Sequence, residues 1–467
     1  MVFSSLLFLF LFLPTSLIVY YSFQSRPARN LILAIFSLIF YAWGEPIWVC
    51  LLLISCVVDY LNGLFIDHFK NQPLIARVGL VSSLVVNLGL LGTFKYADFI
   101  IQNVNAFLGT QFQLPGILLP IGISFYTFQT ISYTVDVYRG EVKAQRNFLN
   151  FLLFVVSFHQ LVAGPIVRYV HIAREIEERV FAWDDFSAGV SRFCQGLVKK
   201  VLIANTAGEL CVQFLDKGSA DMTQLGTWFG LLMFTLQIYF DFSGYSDMAI
   251  GLGRMFGFHY HENFNHPYVA RSLTDFWRRW HISLGTFFRD YVYIPLGGNR
   301  RHQARNIFIV WGLTGLWHGA SWNFILWGLY FGVIMFIEKT WLLAWMARRA
   351  AWLQHLYAIF FIMLGWCIFY YTDLNRLQEV MVILFGISNN EWSNYELESA
   401  MAGHALWLVL ALLLCTPITH LLRLRLKQLM KLAYYEVCIV FLNSSFLIVS
   451  VILLVGKSYN PFIYFRF

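Results

Sequence analysis

Charge is what this chain has least of. Only 13% of its 467 residues are Asp, Glu, Lys or Arg, about half the share of a soluble globular protein. So few charges cannot cover the surfaces of the soluble domains that the length would otherwise allow. Apolar residues make up 58% of the chain and aromatics 18%, which excludes disordered, collagen-like and coiled-coil organisation. Cysteine is sparse as well. The seven thiols form no C-x-x-C pair, so neither a disulfide framework nor a zinc site follows from them. Most lie in apolar runs, where a thiol behaves as a small hydrophobe. The composition is that of an all-α polytopic membrane protein.

Several catalytic signatures are also missing. No G-x-x-x-x-G-K-[ST] string occurs, which argues against a P-loop ATPase. No G-x-S-x-G elbow supports a serine hydrolase. The glycines at 251, 253 and 257 have neither the spacing nor the preceding strand of a dinucleotide fingerprint. No His is followed five residues later by Asp, so the H-x4-D arrangement of glycerolipid acyltransferases is absent.

Lys and Arg outnumber Asp and Glu, 33 to 26. In a soluble protein that excess, with so many Trp and Tyr, would suggest nucleic acid. Here the basic residues sit in short loops between apolar runs, as positive-inside orientation requires. Membrane lipids, not nucleic acid, are the expected surroundings. A spanning helix needs about 20 apolar residues, and candidate spans fall near 3–23, 31–43, 46–66, 75–95, 147–167, 222–240, 306–317, 321–337, 352–371, 376–388, 405–422 and 435–455. That makes about eleven transmembrane helices, with no internal repeat. The first run has no basic residue before Arg26 and no small-x-small cleavage site. It reads as an uncleaved span kinked near Pro14, with its N-terminus on the periplasmic side and Arg26 and Arg29 in the cytoplasm.

Two stretches do not fit simple spans. Residues 99–135 carry no full charge and are interrupted by Pro115, Pro120 and Gly122, which predicts an amphipathic lead-in and a re-entrant or broken helix. Residues 306–337 are also free of full charge. As one helix they would be about 48 Å long, well beyond a hydrocarbon core of about 30 Å. The predicted break is Gly319-Ala320-Ser321, directly after His318, and irregular backbone at that depth is tolerated where it lines protein or a water-filled cavity. His318 is the only titratable group there besides the phenol of Tyr330. An ionisable residue inside a membrane reads as functional by default, although a satisfied packing histidine is the alternative.

The longest polar region, 259–305, is rich in Arg, lacks Lys and holds three acids, Glu262, Asp275 and Asp290. S-L-T-D at 272–275 reads as a capping box. Beyond it, apolar residues recur at three- and four-residue spacing from Leu273 to Tyr291, predicting one helix of about five turns in the interface plane. Its opposite stripe carries Arg278, His281, Gly285 and Arg289. These arginines either meet anionic lipid headgroups or guide an anionic cofactor past His281, with Gly285 leaving room. His259, His261 and His266 lack metal-ligand spacing and read as a loop at the membrane edge, so no metal site is assigned. Asp241 and Ser243, at the end of the 222–240 span, either cap a helix end or line a polar cavity. Asp59, Asn62, Asn87, Gln129, His159, Gln237 and Glu338 read mostly as interhelical hydrogen bonders.

Several strings then add up: L-P-I-G-I-S-F-Y-T-F at 119–128, V-A-G-P-I at 162–166, Y-F-D-F-S-G-Y-S-D-M-A-I-G at 239–251, F-W-R-R-W-H-I-S at 276–283, R-D-Y at 289–291, L-G-G-N-R at 296–300 and L-W-H-G-A at 316–320. Together they resemble the membrane-bound O-acyltransferase family, in its alginate O-acetyltransferase (AlgI-like) branch. The likeness is dense over 119–328 and slight over the last 130 residues. It implies a single integral membrane domain over 1–467, with a catalytic core at 119–328, C-terminal helices at 338–467, and a ring of helices around a central funnel. The family's functional pair, a His in W-H-I-S and a His in L-W-H-G, falls on His281 and His318. Its E-N-F-x-x-P-Y string stands at 262–268, which supports the loop reading of the neighbouring histidines.

The resemblance further implies acetyl transfer across a bacterial inner membrane, from a thioester donor, acetyl-CoA, toward an extracytoplasmic exopolysaccharide such as alginate or cellulose. A periplasmic SGNH-type acetyltransferase and other polysaccharide acetylation and secretion proteins would be the partners. His318 would act as the base, with His281 positioning the donor or relaying the proton. Arg278, Arg289, Asp241 and Ser243 would contact the donor, and no cofactor stays bound. A non-enzymatic acyl-donor transporter or scaffold remains open as the reading from another class. Within the family, D-alanyl transfer to teichoic acid and peptidoglycan acetylation stay open.

Overall fold

The computed structural model describes residues 1–162, 164–456, 459–460 and 462–463. Ala163, within the V-A-G-P-I string, lies outside the described residues. Among these all the regular secondary structure is helical, with no strand. It forms two compact units, one of residues 1–193 with 245–261 and one of 194–244 with 262–467.

In the first unit the principal helices are α1 (Arg26–Gly44), α2 (Val49–His68), α3 (Pro73–Leu108), α4 (Ile123–Arg139), α5 (Phe148–Val156) and α6 (Tyr169–Glu178). α1 and α3 each start with proline in the first turn, where the missing N–H costs nothing. α4 is buried along nearly its whole length. It starts at Gly122, whose φ of +81° and 3.0 Å clearance from the Leu161 carbonyl oxygen leave no space for a Cβ. Between α2 and α3, the Asp59 carboxylate accepts hydrogen bonds from Asn87 and Ser83, the interhelical role expected of a polar residue at that depth. α7 (Trp183–Val198) and α8 (Gln224–Met255) run through the points where the two units divide.

The second unit holds α9 (Leu273–Arg279), α10 (Ile282–Phe288), α11 (Gln303–His318), α12 (Trp322–Ile337), α13 (Ala351–Tyr370), α14 (Tyr395–Gly403), α15 (Ala405–Leu414) and α16 (Leu432–Gly456). α11 ends at His318 and α12 begins at Trp322, the break predicted from the long charge-free run. The two limbs pack backbone to backbone. A Cβ on Gly315 would lie 2.3 Å from the Phe324 carbonyl oxygen, and one on Gly328 would lie 2.4 Å from that of Trp311. At the apex, a Cβ on Gly319 would strike the Phe324 ring at 2.2 Å. Glycine at these three positions lets the chain fold back on itself.

Six described helices are long and apolar enough to cross a membrane, and a seventh span is formed if α14 and α15, bent by 64°, count as one. The protein is a multi-pass membrane protein, but composition predicts about eleven spans. The difference has local causes. The apolar helix Phe8–Ser22 is short. The 147–167 run is α5 followed by a break at Ser157. The 306–337 run is the hairpin of α11 and α12. α8 is 32 residues long but carries Gln237, Asp241, Ser243, Ser246 and Asp247 in its middle.

Candidate active site

The site grows from two places where helix gives way beside a histidine. The first is the junction of α9 and α10. The hydroxyl of Ser272 accepts the Asp275 N–H at 3.0 Å, one half of the predicted capping box. The other acceptor is remote in sequence. The carboxylate of Glu338, buried to 1% exposure, accepts the N–H groups of Leu273 and Thr274 at 2.7 Å each, the Thr274 hydroxyl at 2.6 Å and the Tyr357 hydroxyl at 3.0 Å. A buried anion needs that many donors, and its place at the N-terminus of α9 suits the helix dipole. The α12 hairpin limb thereby holds the start of α9.

The predicted five-turn interfacial helix is not continuous. It stops at Arg279, passes through extended Trp280, and turns at His281, whose φ of +44° lies in the left-handed region. That backbone costs a non-glycine residue about 1–2 kcal/mol. The E-N-F loop holds it in place. The Asn265 N–H donates to the Arg279 carbonyl at 2.9 Å and the Ile282 N–H to the Asn263 carbonyl at 2.9 Å. The side-chain oxygen of Asn263 accepts the Ser283 N–H at 3.1 Å and the Ser283 hydroxyl at 2.9 Å. These bonds replace the helical ones lost at the break.

The same Asn263 oxygen lies 3.2 Å from Nδ1 of His281. A carboxamide oxygen accepts, so Nδ1 carries the proton and Nε2 the lone pair. His281 is 2% exposed, and burial pushes its imidazole down to about 3, which keeps the ring neutral at physiological pH. Its ring meets Phe242 edge to face at 4.7 Å between centroids, and the ring of Trp317 lies 5.8 Å away.

The second place is the hairpin apex. His318, 5% exposed, sits in an aromatic box. Trp317 and Trp327 both meet it at 4.9 Å and Phe369 at 5.1 Å, all edge to face. The Trp317 ring thus touches both histidines.

Beside the first of these places the second unit holds a cavity of about 500 Å³. Arg278, His281, Gly285 and Arg289 all line it, so the predicted stripe converges on one space even though the helix beneath it is broken. Trp311 and Thr314 also line it. They lie on α11, Thr314 one turn before His318, and His318 itself is not among the lining residues. Asp241 and Ser243 are not among the lining residues. Asp241 pairs with Lys200 at 2.8 Å, both groups buried, and accepts the Ile463 N–H at 2.8 Å. From the Y-F-D-F-S string it is Phe242 that reaches His281.

Sequence reasoning misses Asn263, Phe242 and Lys339. Asn263 stands in a string that reads only as a loop. Lys339 also lines the cavity, and its signal is plain: with Glu338 it supplies the first full charges after residues 306–337. His259, in the first unit, bonds Glu175 at 2.8 Å and Asp185 at 3.2 Å and takes no part in this cavity.

The site thus holds two buried histidines, each at a helix break, and a cavity lined by cations and by one of these histidines, His281. Residues 141–381 match the MBOAT, membrane-bound O-acyltransferase family, and the chain belongs to that family and is an O-acyltransferase. It is 42% identical to a protein named "Probable alginate O-acetylase AlgI" from Azotobacter vinelandii, over 86% of this chain and 81% of that one. A protein of the same name from Pseudomonas putida is 38% identical over the full length of both. A peptidoglycan O-acetyltransferase from Helicobacter pylori is 34% identical, over 83% of this chain and 80% of that one.

Proposed function

We propose that this protein takes an acetyl group from a cytoplasmic thioester, acetyl-CoA, and passes it to a hydroxyl on the route to an extracytoplasmic exopolysaccharide, alginate. The observation that carries this reading is the cavity lined by Arg278, Arg289 and neutral His281 together with Thr314, which precedes His318 by one turn of α11. The arginines take the donor's phosphates, as guanidinium groups do bidentately. A hydroxyl is too weak an acid to attack unaided at neutral pH. His318 takes its proton as the oxygen bonds to the acetyl carbon, and the C–S bond breaks to release the thiolate, which is protonated in turn. General-base help of this kind is worth about 10²–10⁴ in rate.

His281, held with Nδ1–H on Asn263, offers Nε2 to the donor or to the proton being moved. Asp241 is assigned to holding Lys200 within the fold, and Ser243, on the same stretch of α8, does not line the cavity. The cavity faces the cytoplasm of a bacterial inner membrane, and residues 119–328 form the catalytic core. A periplasmic acetyltransferase would carry the group onward. Names of relatives support the polymer: alginate O-acetylases over most of the chain.

The test uses purified protein in nanodiscs with radiolabelled acetyl-CoA. Thioester loss and label transfer that vanish in folded His318→Gln and fall in His281→Ala are expected. Turnover indifferent to both histidines would overturn the reading in favour of a donor transporter.

A further inference from the structure

No Asp or Glu lines the cavity, yet three cations do: Arg278, Arg289 and Lys339. Among the described residues neither Arg278 nor Lys339 is paired with a carboxylate, whereas Arg289 is partly neutralised by Asp290 at 2.7 Å. Like charges held at close quarters in a half-buried space repel, and the folded chain carries that cost until an anion enters. Lys339 is held in place from both sides. Its ammonium lies 5.3 Å from the centroid of the Tyr293 ring, a cation–π contact, and the Tyr293 hydroxyl is fixed on the Asn299 side-chain oxygen at 2.6 Å. Its chain neighbour Glu338 anchors the start of α9, the helix that carries Arg278. The two residues therefore divide the work at the foot of the hairpin: Glu338 fixes the helix and Lys339 faces the cavity.

We propose that Lys339 is a donor-specificity residue that completes, with Arg278 and Arg289, a cationic mouth selecting a thiol ester donor with several phosphate groups over one with a single phosphate or none. A nucleotide-bearing pantetheine donor carries a diphosphate and a further phosphate, which matches three cations. A pantetheine arm on a carrier protein presents one phosphodiester and leaves the mouth with unpaired positive charge. The inference rests on the thioester-donor reading above, but it concerns binding, which can be measured without turnover.

Equilibrium binding of CoA, 3′-dephospho-CoA, 4′-phosphopantetheine and pantetheine to the nanodisc protein tests it, for wild type, Lys339→Met and Lys339→Arg. Wild type should bind CoA at least tenfold more tightly than pantetheine, with affinity falling as salt rises. Lys339→Met should lose about ten- to a hundredfold for CoA, the worth of one charge-assisted hydrogen bond. It should lose less than threefold for pantetheine, and Lys339→Arg should restore most of the preference. Equal binding of CoA and pantetheine by wild type, or an unchanged preference in well-folded Lys339→Met, overturns the inference. Phosphate-dependent binding without any acetyl transfer would instead overturn the proposed function and leave Lys339 its role.

Discussion

Asn263 and His281 are joined by one oxygen that does three jobs: it accepts His281 Nδ1–H at 3.2 Å, the Ser283 N–H at 3.1 Å and the Ser283 hydroxyl at 2.9 Å. Removing it strands buried donors at about 1–3 kcal/mol each and frees a histidine held in left-handed backbone. Asn263→Ala should lower both the unfolding temperature in detergent and kcat/KM, the latter by roughly ten- to a hundredfold. Asn263→Asp is the sharper variant. Its carboxylate accepts all three bonds and, as an anion beside the ring, raises the affinity of His281 for a proton. The acid limb of the pH–rate profile should therefore move to higher pH. A merely structural Asn263 would leave that limb where it is.

The hairpin of α11 and α12 depends on bare backbone at Gly315 and Gly328. Alanine at Gly315 brings Cβ to 2.3 Å from the Phe324 carbonyl oxygen, and neither backbone can move aside without parting the limbs. Gly315→Ala should destabilise the protein by about 2–4 kcal/mol, the scale of overpacking against an unyielding neighbour, and should abolish turnover by displacing His318. Gly312, one turn earlier on α11, has nothing within 4 Å of the place a Cβ would take. Gly312→Ala should be neutral or slightly stabilising, because alanine is the better helix former by about 1 kcal/mol. Unfolding midpoints and specific activity of the two variants side by side check the contrast.

The break after His318 is legible because hydrocarbon thickness is a hard limit: an uncharged run too long for the bilayer has to bend, and Gly-Ala-Ser marks where. The stripe of Arg278, His281, Gly285 and Arg289 is legible from spacing. The break within it at His281 is not, since it is made by a loop that lies nearby only after folding. Asn263 and Asn265 supply the bonds that let the helix stop there, and no helical period encodes a partner so far upstream. Glu338 shows the same limit. Its sequence position suggests an interhelical bond, but that its target is the first turn of α9 follows only from the fold. The span count from sequence exceeds the six or seven long apolar helices among the described residues, because apolar composition does not distinguish an unbroken helix from one that breaks or returns.

His259 gives the first unit a pH response. Burial by itself would lower its imidazole, but hydrogen bonds and charge from Glu175 on α6 and Asp185 on α7 outweigh it and raise the pKa above the ordinary histidine value. A raised folded pKa means the stabilisation is fully present below the unfolded value of about 6.5 and fades as pH climbs through the folded one. The unfolding midpoint of wild type should therefore fall between about pH 6 and pH 8, and His259→Gln should flatten that fall. Equal slopes for the two proteins would show that this cluster contributes nothing to pH dependence.

Lys200 and Asp241 form a buried pair at 2.8 Å, with side chains 4% and 2% exposed. Breaking such a pair leaves one charge without compensation, at about 3–5 kcal/mol, while replacing both partners by apolar groups is often neutral. Lys200→Met should destabilise the protein strongly and Lys200→Met with Asp241→Leu should recover most of the loss. The Ile463 N–H, which also bonds Asp241 at 2.8 Å, limits that recovery, since leucine offers it no acceptor. Asp241→Asn keeps an acceptor for that N–H and removes only the charge. If Asp241 serves α8 rather than the donor, Asp241→Asn should lower the unfolding midpoint while the acetyl-CoA KM stays within about twofold. A KM rise of tenfold or more, about 1.4 kcal/mol of lost binding, would place Asp241 back among the donor's contacts.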